Sequence, residues 1–320
     1  MKFRSIKTKL VVTIGLCFFT VITVLTVYSS ISVKNNTIEA AKENAIGAGR
    51  ELSGFIEAEI EIALDTARTL AHTLSAVKNP DSPLEIGREQ VNNILRTVLE
   101  ENESFLGTYT LWEPDAFDQM DSSYVNLQGH DSTGRFIPYW SRGPNGIALE
   151  PLKNYKLDGP GDYYQIPKKT KKEVIIEPYK YTVQDKDMLI TSLVVPIMHD
   201  GQFYGIAGVD ISLNTIQDMI EEINDHDQNK EIAVVSNDGL LVAVSDRPEL
   251  QGKDLSLLHK DRSEDAIYVS KGKTIIEKDE GRYALFTPIN IGSTQTPWSV
   301  NINIPYDHIL AAAKTHMWYV

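Results

Sequence analysis

Between Lys9 and Lys34 the chain runs for 24 residues, Leu10 to Val33, without a formal charge. A helix rises about 1.5 Å per residue, so this run is long enough to cross the roughly 30 Å hydrocarbon core of a bilayer. A cleaved signal peptide would have a shorter apolar part and a small-residue cleavage site, which Ser29-Ser30-Ile31-Ser32-Val33 does not supply. The run therefore reads as a retained anchor. Lys2, Arg4, Lys7 and Lys9 precede it, which keeps residues 1–9 in the cytoplasm and sends residue 34 onward to the outer face of the cell inner membrane. The rest of the chain must then fold as a periplasmic or extracellular body carried on that anchor.

The body is acidic. The formal net charge is −13, and the four cations ahead of residue 34 leave −17 on the remainder. Such a surface repels a phosphate backbone, so nucleic acid is excluded as a partner. It attracts cationic solutes, although acidity also serves solubility. Cys17, the single cysteine, lies inside the apolar run, so the body has no disulfide and no cysteine metal site. The seven histidines are scattered without ligand spacing, and neither a metal nor any other cofactor is expected.

From Asn35 to about Ala76 the pattern is helical. Leu52, Phe55, Ile56, Ile60, Ala63, Leu64, Ala67, Leu70, Ala71 and Leu74 follow three- and four-residue spacing. This stripe can pack on the domains that follow, and between Asn35 and Arg50 it offers a seam for a parallel homodimer. Pro80 and Pro83 end the stalk. Arg88 to Glu101 resumes helical spacing, Phe105 to Trp112 alternates as a strand, and Glu113 to Thr133 reads as a long acidic loop. Val174–Tyr181, Met188–Pro196 and Phe203–Leu213 read as three strands, with Gly201 in the last turn and Asn214 as N-cap of a following amphipathic helix. After a polar linker at His226–Lys230, Ile232–Val235 and Leu240–Val244 form a hairpin around Asn237-Asp238-Gly239. Thr274–Glu277, Tyr283–Ile289 and Trp298–Ile304 complete an antiparallel sheet in which Trp298 is core. His308–Lys314 reads as helix, and Trp318-Tyr319-Val320 carries the interfacial aromatics expected where a chain re-enters a membrane.

The stretch from Gly134 to Asp210 concentrates candidate site residues. Tyr139, Trp140, Tyr163, Tyr164, Tyr179 and Tyr181 accompany Asp162 and Asp210, and no nucleophile–base pair or phosphate loop stands out, so no catalytic residue is assigned. Ring faces and carboxylates both attract cations, which points to a small ligand with a positive end. Asp210 ends an apolar strand, where an unpaired carboxylate is costly; the rival role is a charge at the start of the next helix. Asp162 sits in a Gly-rich loop and could be a turn former. Tyr139 and Trp140 lie at a loop edge beside Pro138 and Arg142, with a core role as the alternative. Tyr179 and Tyr181, two apart, share one strand face.

Anchor, long helix, a larger sheet domain closing on GVDISL and a smaller one carrying SNDGLLVAVS and TPWSVNINIP follow in that order. From Lys34 to Pro305 the chain resembles the double-Cache sensor region of methyl-accepting chemotaxis receptors. The resemblance implies an α+β fold: a transmembrane helix (10–33) and long stalk helix (34–78), then two PAS-like antiparallel-sheet domains. Residues 79–227 would form the membrane-distal, ligand-binding domain and 228–305 the membrane-proximal one, with 306–320 leading to a second membrane helix and a cytoplasmic output domain. It also implies a sensor that signals inward by a small shift of the helix, and not an enzyme. Sensor histidine kinases and diguanylate cyclases carry the same module.

The amino-acid-sensing branch of that family has a pattern resembling R-P-W-Y, then P-Y-x-D, then G-x-D-I, in which the Arg takes the ligand carboxylate while acids and rings take its ammonium. Here Ile137 falls on the Arg position, Tyr181 falls on the first acid, and Asp210 is retained. The departures leave a site richer in rings and suited to an amine or quaternary ammonium compound. Arg135 and Arg142 stand nearby and could restore a carboxylate clamp, which keeps an amino acid open as ligand. The expected site is Arg135, Tyr139, Trp140, Asp162, Tyr164, Tyr179, Tyr181 and Asp210.

Overall fold

A computed structural model describes residues 6–224, 231–258, 267–279 and 281–306. The uncharged run and the stalk form one unbroken helix, α1 (Ile6–Ser75, 70 residues). Apolar side chains from Leu10 to Ile31 are exposed along it, and this part of the helix is long and apolar enough to cross a membrane. Beyond Val33 the stripe becomes covered: Ile56, Ile60, Ala63, Leu64, Ala67, Ala71 and Leu74 are buried at three- and four-residue intervals.

Two antiparallel sheets pack on α1. The first is built from β1 (Gly107–Trp112), β2 (Pro138–Gly143), β3 (Gly146–Pro151), β4 (Val174–Ile175), β5 (Tyr179–Val183), β6 (Lys186–His199) and β7 (Gln202–Ser212). Its order is β3-β2-β1-β7-β6, with β4 and β5 both on the far edge of β6. The second has the order β10-β11-β12-β8-β9, from β8 (Glu231–Val235), β9 (Leu241–Val244), β10 (Ile275–Asp279), β11 (Arg282–Ile289) and β12 (Trp298–Pro305). α2 (Arg88–Glu101) and α4 (Leu213–Asn224) pack beside them, and α3 (Asp162–Thr170) lies over the outer face of the first sheet.

Strand alternation gives each sheet an inner and an outer face. Leu193, Val195, Ala207, Val209 and Ile211 of the first sheet, with Leu285, Ile289, Val300 and Ile302 of the second, join α1 in one continuous core. Trp298 is fully buried in it. The second sheet sits nearer the apolar end, where Gly49 has no room for a Cβ against Leu285 and Thr287. The sheets meet at an ionic junction farther up the helix. Arg68 donates from Nε and Nη2 to Glu173 (2.7 and 2.6 Å), and Glu173 accepts from the Ser293 amide at 2.7 Å. The Arg68 guanidinium holds the Glu173 carboxyl down to about 2.

Several local expectations change. Val174–Tyr181 is not one strand: Pro178, which has no amide to donate, separates β4 from β5. The helix after β7 starts at Leu213, and the Ser212 hydroxyl, not Asn214, accepts the first free amide (Asn214 N, 3.2 Å). The stretch around Asp162 is helix rather than loop, and Pro138–Trp140 opens a strand rather than a loop edge. Gly201 and Gly239 take positive φ in their hairpin turns, as expected. The linker His226–Lys230, the helix His308–Lys314 and the re-entry residues 318–320 lie outside the described residues.

Candidate ligand-binding site

The outer face of the first sheet carries the site. β7 pairs with β1 so that Asp210 lies opposite Gly107 and Gly208 opposite Tyr109. On the other side Asp210 lies opposite Ser192 of β6. β1 then pairs with β2, placing Tyr109 beside Tyr139. Residues two apart share a face, so Gly208 and Asp210 point the same way as Gly107 and Tyr109. The glycines matter because their neighbours lie across them. A Cβ at Gly107 would overlap the Tyr139 ring, and one at Gly208 would overlap the Tyr109 ring. Two tyrosines can therefore lie flat on the strand backbone with their hydroxyls toward Asp210.

Five tyrosines close around that carboxylate. Tyr109 meets Tyr139 and Tyr163 edge-to-face at 5.8 and 5.9 Å, and Tyr181 meets Tyr139, Tyr163 and Tyr179 at 5.6, 6.2 and 6.1 Å. Three of the hydroxyls are fixed: Tyr163 donates to the Lys153 carbonyl (2.7 Å), Tyr181 accepts from the Lys153 amide (3.0 Å), and Tyr179 bonds the Ser192 hydroxyl (2.9 Å). Ser192 in turn donates to Asp210 at 2.6 Å. The hydroxyls of Tyr109, Tyr139 and Ser141 are buried without a hydrogen-bond partner of good geometry. The Tyr109 and Tyr139 hydroxyls lie close to the Asp210 carboxylate, so this face gathers polar groups around one buried acid.

Asp210 is 2% exposed, and no Lys or Arg pairs with it among the described residues. Burial pushes its carboxyl up to about 7, against the opposing hydrogen bond from Ser192 and the nearby Tyr139 and Tyr109 hydroxyls. The same burial, with the Asp210 charge next in size, raises the Tyr109 and Tyr139 phenols well above the usual range, so both stay protonated. The array is a cage of rings and hydroxyls packed around one buried acid whose carboxyl is raised by that burial. A cation entering it would restore the carboxylate and meet the rings.

The structure brings Tyr139, Tyr179, Tyr181 and Asp210 together from the expected set. It puts Trp140 on the opposite face, because adjacent strand residues alternate; its indole donates to Asn92 of α2 at 2.9 Å and packs against the inner core. Tyr164 stands about 100° around α3 from Tyr163, where its hydroxyl bonds Glu113 and Lys168. Arg135 is buried outside the cage. Its guanidinium donates to the Trp112 carbonyl (2.9 and 2.6 Å) and stacks on Tyr155 and Tyr164. Arg142 is likewise held by the Leu99 carbonyl at 2.7 Å. Asp162 begins α3, accepts from the Gly159 amide at 3.0 Å and faces a groove outside the cage. Tyr109, Tyr163 and Ser192 belong to the cage without having been singled out in that set. Their signal was strand and helix phase relative to Asp210, legible once β1 is placed beside β7. No cluster of His, Cys, Asp and Glu able to hold a metal occurs among the described residues.

Residues 91–218 match the family model of the methyl-accepting chemotaxis protein-like first PDC sensor domain. Over 241 residues, 71% of this chain, the sequence is 27% identical to the methyl-accepting chemotaxis protein TlpQ of Pseudomonas aeruginosa, and the chain spans about a third (34%) of that relative's length. The crystal structure of the extracellular domain of mmHK1S-Z2, described as a histidine kinase, is 31% identical with a TM-score of 0.72, covering 84% of this chain and 99% of that one. The fold likeness reaches the ligand-binding domain of the Pseudomonas aeruginosa amino-acid chemoreceptor PctC in complex with GABA, at 16% identity and a TM-score of 0.53, covering 82% and 99%. The chain belongs to the Cache-type (PDC) family of extracellular sensor domains, to which the mmHK1S-Z2 histidine kinase domain belongs, and residues 91–218 match that family's chemotaxis-receptor-like model.

Proposed function

We propose that this chain senses a small organic cation, an amine or quaternary ammonium compound, outside the cell inner membrane, and passes the signal inward in chemotaxis as a homodimer. The observation that carries the reading is Asp210: a carboxylate 2% exposed, ringed by tyrosines, with no cationic partner among the described residues. An isolated buried charge is tolerated where a ligand supplies its counter-charge. Ser192 donates to Asp210, and no histidine or lysine stands among the described residues that surround the pair, so the array is read as holding charge and not as a nucleophile relay. The reading is therefore a sensor without catalytic activity.

An amino-acid ligand is the second reading, favoured by the amino-acid receptors that share the fold. It needs a free guanidinium for the ligand carboxylate. Arg135 and Arg142 are both engaged with backbone carbonyls, which weighs against it. The output domain is proposed as a chemotaxis signalling module from the family match, with a histidine kinase as the alternative. Calorimetric titration of the chain in nanodiscs with tetramethylammonium, alkylamines, amino acids and organic acids tests the ligand class. Binding of the cations alone is the expected result; binding of amino acids or organic acids alone would overturn it.

A further inference from the structure

On the outer face of β6, Ile190 and Val194 belong to the apolar cluster, and Ser192 stands between them with no exposed surface. Strand pairing sets it directly opposite Asp210. Its hydroxyl donates to Asp210 Oδ1 at 2.6 Å and meets the Tyr179 hydroxyl at 2.9 Å. A serine has one hydroxyl proton. With that proton on Asp210, the second bond can only run inward, from the Tyr179 phenol to the serine oxygen. Tyr179 on β5, Ser192 on β6 and Asp210 on β7 thus form a donor chain with one direction, ending on the carboxylate.

Such a chain favours the anion. A hydrogen bond to an ionised acceptor is stronger than a neutral one, and a donor that itself accepts a bond is polarised further. The other titratable groups facing Asp210 are phenols: Tyr109 from β1, Tyr139 from β2, Tyr181 from β5 and Tyr163 from α3. The charged groups behind them are acids, Asp162 acting on Tyr179 and Glu150 on Tyr181, and the Lys153 ammonium is taken by Glu150. Hydroxyl donors therefore hold the Asp210 charge without help from a cation among the described residues. Tyr109 and Tyr139 are also rings that a ligand would meet. Ser192 offers a cation neither ring nor charge.

We propose that Ser192, backed by the Tyr179 hydroxyl, is the positioning residue of this site: it fixes the Asp210 carboxylate and holds it in its charged form. Affinity for a cation then depends on a hydroxyl that makes no cation contact of its own. The consequence for affinity rests on the cation reading of the cage, whereas the chain itself can be tested without a ligand.

The test uses the full chain in dodecylmaltoside micelles, a detergent without a carbonyl group. The infrared carbonyl stretch of protonated Asp210, identified by its loss in Asp210→Asn, is followed against pH. Ser192→Ala should move the midpoint up by about one to two pH units, the worth of one hydrogen bond to a charged group. Tyr179→Phe keeps the ring and should move it up by less. The double variant should go no further than Ser192→Ala, because Tyr179 acts only through Ser192. Tetramethylammonium affinity should follow: about tenfold weaker in Ser192→Ala at pH 7, and within about twofold of the parent at pH 9.5, where both proteins are ionised at Asp210.

An unmoved midpoint in Ser192→Ala overturns the assignment, as does a loss of affinity that is equal at both pH values, the mark of a merely structural role. If Ser192→Ala does not fold, Tyr179→Phe decides alone, and an unmoved midpoint there overturns it. If tetramethylammonium does not bind the parent, the cage reading falls, while the infrared titration still decides the role of Ser192.

Discussion

The two sheets share a helix, antiparallel pairing throughout and an inner core, yet their outer faces differ in chemistry. The first presents Tyr109, Tyr139 and Tyr181, with Tyr163 of α3 over them, around Asp210, which has no cationic partner among the described residues. The second presents Ala233, Val235, Leu241, Val244, Ala284 and Phe286, with Ser299, Asn301 and Asn303 as its buried polar residues. Those amides are neutral and bonded: Asn301 donates to the Leu285 carbonyl at 3.3 Å, and Asn303 donates to Glu231 and to Asn301 at 3.0 and 3.1 Å. A neutral satisfied group stabilises a fold by itself. A buried acid with hydroxyl donors but no counter-ion among the described residues does not, and its presence in the first sheet distinguishes that outer face from the second sheet's.

The contrast is sharpest at the two ends of the energy scale. Trp298→Ala in the second sheet should cost about 3–5 kcal/mol of stability, because the whole indole leaves a packed core. Its melting midpoint should fall markedly, while tetramethylammonium affinity well below the transition stays within about twofold of the parent. A comparable loss of affinity would mean the second sheet shapes the cage.

Asp210→Asn should do the reverse. Removing the buried carboxylate should weaken tetramethylammonium by about 2–5 kcal/mol, readable by calorimetry as thirtyfold or more. The ligand-free protein should not be weakened. Asp210 titrates near 7 in the fold against a usual 3.8, so the fold binds the proton more tightly and its stability falls as pH rises between those values. At pH 8 the buried anion costs on the order of 4 kcal/mol relative to the acid, which the asparagine avoids. A lower melting midpoint for Asp210→Asn at pH 8 would contradict this assignment.

The same titration gives a smaller effect in the parent. A quaternary ammonium ion cannot itself lose a proton, so its affinity follows the ionised fraction of Asp210. Between pH 8 and pH 6 it should fall about tenfold, and ligand-free stability should rise by roughly 1.4 kcal/mol over the same interval. Both trends should vanish in Asp210→Asn. A flat profile in the parent would show that Asp210 is not the acid that meets the cation.

The smallest expected effect belongs to Trp140→Ala. The indole bonds Asn92 and packs under α2, so stability should drop while tetramethylammonium affinity changes by no more than about twofold. A thirtyfold loss would place the cation on the inner face instead.

Much of the architecture was legible because its signals are periodic. The stripe from Leu52 to Leu74, the strand that ends in GVDIS, and the Asn237-Asp238-Gly239 hairpin each constrain the backbone locally. The site was legible in part. Tyr179 and Tyr181 followed from alternation, and Asp210 from the cost of a carboxylate on an apolar strand. Alternation applied to Tyr139 and Trp140 separates them, but that step requires β2 to be recognised as strand, and Pro138 disguised it. Tyr163 and Tyr164 traded places because a helix turns about 100° per residue where a loop has no phase. Tyr109 needed tertiary knowledge: nothing local to β1 says that β7 lies beside it with glycine at position 208.

The unbroken hydrogen-bonded run of α1, from the apolar segment to the junction at Arg68, makes it a rod and not a tether. A flexible tether would spend a displacement of the first sheet as chain entropy before it reached the bilayer. One unbroken helix therefore links the Arg68–Glu173 junction to Leu10–Val33, with no loop between them to absorb a displacement. The second sheet is seated on the same helix at Gly49, where Leu285 and Thr287 leave no room for a Cβ, so a larger residue there would push sheet and helix apart.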